Sequence, residues 1–186
     1  MDILHEQEMR GVGLPASIIQ GVDTVIAVAA TVIAIGALVS LFLSLMAEVV
    51  VRYLTTQGLG WPSEMPNLLF PWLVMAGIVL AAQRGAHISV TLVLGMMGRG
   101  AARLLLLGMQ VVVAATFFYL AYIGLAVIEI TGSEVYPVTG VSARWAYLSL
   151  IVGFIGVGLT AVTTFGRLLL VEDPLSVRAH IAEEEL

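Results

Sequence analysis

Four stretches of this chain, about 22–50, 66–83, 104–130 and 145–170, are almost without polar interruption. A membrane-crossing helix needs roughly 20 consecutive, mostly apolar residues, and all four stretches meet or approach that length. A water-soluble fold of 186 residues could not bury so much apolar surface: 60% of the residues are hydrophobic and 11% are charged, against about 25% charged in an ordinary soluble domain. Within hydrocarbon every backbone N–H and C=O must be paired inside the protein, and single apolar segments of this length do that as helices. The chain therefore reads as an all-α integral membrane protein with four transmembrane helices. The first and third stretches are long enough to tilt or to project beyond the hydrocarbon. The second follows Pro62 and Pro66, and Pro71 either kinks it near its start or marks its first turn.

The domain plan is simple. Residues 1–21 read as a cytoplasmic tail or interfacial helix, with Pro15-Ala16-Ser17 opening either that helix or the first span. Residues 22–170 form one four-helix membrane domain, and 171–186 form an acidic tail. The first twenty residues are acidic where a signal peptide would be basic, and the apolar run after them is too long for one. The connection 85–100 contains "HISVTLVLGMM", apolar but too short to span. It reads as a short interfacial segment between helices two and three, lying along the bilayer with its apolar side down.

Orientation follows from arginine, because the chain has no lysine. Arg10, Arg84, Arg99, Arg103, Arg167 and Arg178 lie on one side, at or beyond span ends; Arg52 and Arg144 lie on the other. The positive-inside bias places both termini and the middle connection in the cytoplasm. Arg52 and Arg144 sit close enough to span ends to snorkel toward headgroups.

Composition removes whole classes of function. There is no cysteine, which excludes disulfides, thiolate metal sites and thiol catalysis. No basic tract suggests nucleic-acid binding. The middles of the four spans carry no formal charge, whereas substrate sites of secondary transporters bring polar groups together at mid-membrane. No metal site, cofactor or catalytic residue is expected, and the chain does not read as an enzyme.

The polar residues near the bilayer edges are the candidate contact sites. Glu48 and Arg52 are spaced i, i+4 with the acid first, the order that favours a pair on one helix face. The same row runs back through Ser44, Ser40 and Gly36, small residues that let another helix approach closely. A buried pair at an interface and an arginine merely reaching headgroups are both compatible with this pattern, and Glu64 or Glu129 is an alternative partner for Arg52. Trp61, Trp72, Tyr136, Trp145 and Tyr147 flank the spans as an aromatic belt does. In "AAQRGAHISV" (81–90), Arg84 and His87 fall at the cytoplasmic exit of span two. An arginine there can hold a lipid phosphate or cap helix-end carbonyls, and a neutral imidazole can donate one hydrogen bond and accept another. The competing role for His87 is proton transfer, but no acid stands near it in sequence.

Several of these segments together resemble the small membrane subunit, the DctQ type, of tripartite ATP-independent periplasmic (TRAP) transporters. "EVVVRYL" (48–54), "WPSEM" (61–65), "PWLVMAGIVLAAQRGAHISV" (71–90) and "GVSARWAYLSLIVGF" (140–154) carry the likeness in the expected order, across about residues 20–170. Thr91 departs from it, standing where the family often has aspartate. The resemblance implies a multi-pass protein of the bacterial inner membrane, bound to a large permease subunit. It further implies a periplasmic solute-binding protein that delivers an organic acid, sodium-driven uptake, and a fixed, scaffolding role for the small subunit. Arg52, Trp61, Glu64, Trp72, Arg84 and His87 are the matching positions, with implied roles in helix packing, lipid or partner contact and docking rather than chemistry.

Two other classes compete. A small four-helix proton antiporter needs an acid within the membrane; Glu48 is the candidate, and Arg52 beside it would keep it ionised. A membrane anchor of a redox complex would bind haem through two buried imidazoles, whereas His5 and His180 lie in the tails and His87 at a boundary.

Overall fold

The computed structural model describes residues 14–55, 58–84 and 99–170. Within them the chain is helical: α1 spans Leu14–Thr55, α2 Met65–Gln83, α3 Arg99–Thr131 and α4 Arg144–Leu170, with a 3-10 turn at Trp61–Ser63. Strand pairing among the described residues is confined to one antiparallel bridge, Val135 with Ser142. All four helices are long and apolar enough to cross a membrane. The interfacial segment expected within 85–100 lies almost wholly outside the described residues, as do both acidic tails.

The helices outrun the apolar stretches that announce them. At 1.5 Å per residue, α1 is ~63 Å long, α2 ~28 Å, α3 ~50 Å and α4 ~40 Å. Hydropathy marks only the lipid-compatible part, whereas the hydrogen-bond ladder continues through any residue that tolerates helix. Pro15 stands in the first turn of α1, where its missing N–H leaves no bond unmade. Pro71 lies inside α2, beyond its first turn, so it withholds a bond from the carbonyl of Asn67. Arg84 closes α2, its N–H donating to the Leu80 carbonyl at 3.2 Å.

α4 is the central element: it packs along both α2 and α3, while α1 packs mainly on α2 and more lightly on α4. Glycine makes the α2–α4 contact close. A Cβ at Gly153 would run into the Met75 side chain, and one at Gly156 would meet Val79 at 2.9 Å. Such close backbone approach gains dispersion contacts, the main attraction left between helices when lipid is as apolar as leucine. Ala30, Ala76, Val79 and Val157 form the buried centre, with Val113 and Phe117 of α3 against it. Ala102, Leu106 and Leu168 close the far end of the α3–α4 seam.

Three hydroxyls within α4 are satisfied by its own backbone. Ser149 donates to the Ala146 carbonyl at 2.6 Å and Thr160 to the Gly156 carbonyl at 2.9 Å. Thr164 donates to the Thr160 carbonyl at 2.8 Å. These bonds let polar residues occupy a buried helix without an unpaired group.

Candidate functional site at the two ends of the bundle

The polar side chains gather at opposite ends of the helices. At the end where α1 finishes and α2 begins, the chain reverses through Gly60, whose φ of 77° is one that glycine adopts readily. Trp61, Pro62 and Ser63 follow as the 3-10 turn, with Pro62 fully buried. This delivers Glu64 to the base of α2, where its side chain is buried. Its carboxylate accepts from Val138 N–H at 3.0 Å, Thr139 N–H at 2.8 Å and the Thr139 hydroxyl at 2.7 Å. Three donors converge on one acceptor-only group. Glu64 thereby ties the start of α2 to the α3–α4 loop.

That loop is itself folded. Tyr136 N–H donates to the Val141 carbonyl at 3.0 Å, and Ala143 N–H to the Glu134 carbonyl at 2.9 Å. Gly140 supplies a second positive φ, 67°. Burial, then the charge of Glu134 and the neighbouring Tyr147 and Glu64, push the Tyr136 phenol up from its ordinary pKa. Trp72 adds a second tether, its Nε1–H donating to the Trp145 carbonyl at 2.9 Å. The aromatic belt expected here is thus partly a hydrogen-bonding device: Trp145 is exposed, but its backbone is held by Trp72.

Glu48 does not pair with Arg52. Its carboxylate accepts from the Leu59 N–H at 3.0 Å and lies against Gly58, where a Cβ would collide with it. A backbone donor on the returning chain has taken the place of the i, i+4 guanidinium. Arg52 is exposed, and neither Glu64 nor Glu129 is its ion-pair partner, because the ion pair found among the described residues is Asp23–Arg167.

That ion pair defines the other end of the bundle. Asp23 of α1 contacts Arg167 of α4 and also accepts from the Thr163 hydroxyl at 2.5 Å. Its backbone carbonyl accepts from Gln83 Nε2 of α2 at 3.0 Å. One residue therefore joins three helices. Two residues past Arg167, the Leu169 carbonyl accepts from Arg103 of α3 at 2.8 Å, which caps the last turn of α4. Asp23 is not among the residues that sequence pattern singles out, and Arg167 enters there only through the orientation of the chain. The available signal was an acid within the first span and a base within the last, assigned to the same side of the membrane. The Arg84 side chain is exposed and bonds no carbonyl among the described residues. His87 lies outside the described residues.

Between the two ends, α1, α2 and α4 form a partly open apolar cavity of about 220 Å³ lined by residues such as Ile26, Ile33, Met75 and Leu159. Its polar side chains, Trp72 and Ser149, are both spent on backbone carbonyls. No charged residue lines it. Such a cavity can admit hydrocarbon but offers nothing to recognise an anion or a cation.

These features define a class before a family: a four-helix membrane-spanning bundle in which polar side chains near both ends secure helices and loops to one another. The sequence match is more specific. The family described as Tripartite ATP-independent periplasmic transporters, DctQ component, matches residues 41–171; the chain belongs to this family. The uncharacterised protein y4mM of Sinorhizobium fredii is 33% identical over 132 residues, which are 70% of this chain and 24% of that protein. A Haemophilus influenzae protein described as a TRAP transporter small permease protein is 24% identical over 103 residues, 55% of this chain and 62% of its own length. The match spans less than two thirds of either relative.

Proposed function

We propose that the chain is the fixed small subunit of a TRAP-type uptake system in a bacterial inner membrane, holding a large permease subunit in place. The observation that carries this reading is the family match over 41–171, combined with a helix bundle whose Asp23, Glu48, Glu64 and Trp72 side chains are engaged in fastening its own helices and loops. A periplasmic solute-binding protein delivers the substrate, an organic acid, and a sodium gradient drives its entry. Substrate chemistry belongs to those partners. This chain supplies packing, lipid contact and a docking edge, and no catalysis.

The arginine bias puts both termini and the acidic tails in the cytoplasm. The Glu64 end then faces the periplasm, where the 58–64 and 132–143 segments form the surface closest to a binding protein. Arg84 and His87 anchor the cytoplasmic exit of α2, the arginine to lipid phosphate and the histidine by hydrogen bonding. The proton-antiport alternative loses ground twice. Glu48 is held by a backbone N–H, and Asp23 is engaged with Arg167 and Thr163; neither carboxylate stands free to cycle a proton.

The test is reconstitution. Co-expressed with the large permease from its own genome, the tagged chain should retain that subunit through detergent purification. Proteoliposomes of the complex should take up an organic acid only with both the binding protein and a sodium gradient present. Uptake by this chain alone would overturn the reading. Reporter fusions at Gly60 and Gly132 should score periplasmic and one at Gly98 cytoplasmic; the reverse would invert the topology.

A further inference from the structure

The two flanking helices turn different chemistry outward. On α1 the exposed residues along the span include Val25, Val28, Val32, Ile35, Val39 and Phe42, side chains that lipid solvates as well as protein does. Thr31 and Ser40 are exposed among them, but a short hydroxyl can turn back to a carbonyl of its own helix. α3 is different. Tyr119 is 63% and Tyr122 72% exposed, on one stripe with Val112, Ala115, Ala126 and Glu129. Neither phenol finds a hydrogen-bond partner among the described residues.

Depth makes this matter. Between Arg103 and Glu129 the helix rises ~39 Å, and Tyr119 and Tyr122 lie ~15 and ~10 Å from the Glu129 level. Long side chains on a helix lean toward its N-terminus, which here carries both rings deeper still. Aromatic belts sit at the headgroups, where the hydroxyl is hydrated; with Arg103 and Glu129 taken as the two headgroup levels, these two hydroxyls fall within the hydrocarbon, which cannot accept a hydrogen bond. A phenol stands too far from its own backbone to fold back as threonine does. Burial of such a group without a partner is unfavourable.

The geometry points to the outward face of α3 as the seat of the large permease, with acceptor oxygens of a permease helix opposite Tyr119 and Tyr122 and a cationic side chain opposite Glu129. This rests on the reading of the chain as a small permease subunit. A second copy fits the face poorly. Two copies in one membrane share an orientation, so a symmetric α3–α3 contact about the membrane normal brings Glu129 against Glu129. Lipid fails on the two hydroxyls. A permease helix with acceptors and a cation answers all three groups.

The experiment uses the co-expressed complex, with a photo-crosslinking amino acid placed singly at Val112, Ala115 or Ala126 on α3 and at Val28, Val32 or Val39 on α1. The α3 positions should crosslink to the large subunit and the α1 positions should not. In parallel, Tyr119→Phe combined with Tyr122→Phe should lower the large subunit recovered per small subunit several-fold, with the melting temperature of the isolated chain unchanged. Crosslinks to the large subunit from α1 alone, crosslinks from α3 to a second copy, or full recovery with both phenylalanines would each overturn the assignment. If wild-type chain recovers no large subunit at all, the proposed function fails instead, so the two failures are distinguishable.

Discussion

The two ends of the bundle are fastened by the same functional group used in opposite ways. At one end the Asp23 carboxylate meets side chains, Arg167 and Thr163 of a helix far along the chain. At the other, the Glu64 carboxylate meets mostly backbone, the N–H groups of Val138 and Thr139. The first fastening joins helix to helix and depends on the identity of both partners. The second joins a helix start to a loop, and two of its three donors would survive almost any substitution in that loop. One end is a lock between spans; the other shapes a surface between them.

If that contrast is right, breaking the Asp23 end has the largest effect on the whole fold. Asp23→Ala removes the acceptor from Arg167 and Thr163 and should destabilise the bundle by about 1.5–3 kcal/mol, the range for hydrogen bonds made by charged groups. Thermal unfolding in detergent checks this. Exchanging the charges, Asp23→Arg with Arg167→Asp, should recover part of the loss. No recovery would show that Thr163 and local packing, not the ion pair, carry the contact.

Glu64→Ala should act locally and less severely. Hydrogen exchange at the amides of Val138 and Thr139 should speed up markedly while the melting temperature moves little. A fall in global stability as large as that of Asp23→Ala would erase the distinction between lock and shaped surface.

Smallest is the coupling between Glu48 and Arg52. Since Glu48 is engaged by the Leu59 N–H, Glu48→Gln and Arg52→Gln should behave independently and add to within ~0.5 kcal/mol. A larger interaction energy would restore the pairing suggested by their spacing. His87 gives a separate comparison: His87→Gln should keep assembly and uptake while His87→Leu impairs them. Loss of uptake and of its pH dependence with glutamine, in an assembled complex, would make His87 a proton carrier.

The helices were legible because hydrocarbon leaves a chain few options: the stretches 22–50, 66–83, 104–130 and 145–170 each lie within a helix of the structure. Their ends were not, since Arg99, Arg103 and Arg144 belong to α3 and α4, and arginine in a last or first turn looks the same as arginine in a loop. The contact positions divide by the kind of partner. Glu64 and Trp72 were recognisable as special residues, yet their partners were invisible because a backbone N–H or C=O carries no signature in sequence. Glu48 and Arg52 misled for the same reason: a spacing rule compares side chains and cannot register a competing amide eleven residues on. Asp23 and Arg167 were readable in principle, being opposite charges on the same side of the membrane, but long-range pairing needs the order in which helices pack.

The length of α1 has a consequence for the bilayer itself. α2 is tied near its Gln83 end to Asp23, and the chain leading into it is tied to Glu48, so α2, at ~28 Å, sets the depth of the slab the two helices share. α1 continues past Glu48 with Val49, Val50, Tyr53 and Leu54, all exposed. Lipid can cover that overhang only by rising locally into a thicker collar, or α1 must lean until its end sinks. Either response costs a fraction of a kcal/mol per ångström of mismatch. A mismatch confined to that flank should make the chain partition toward thicker bilayers when offered a choice.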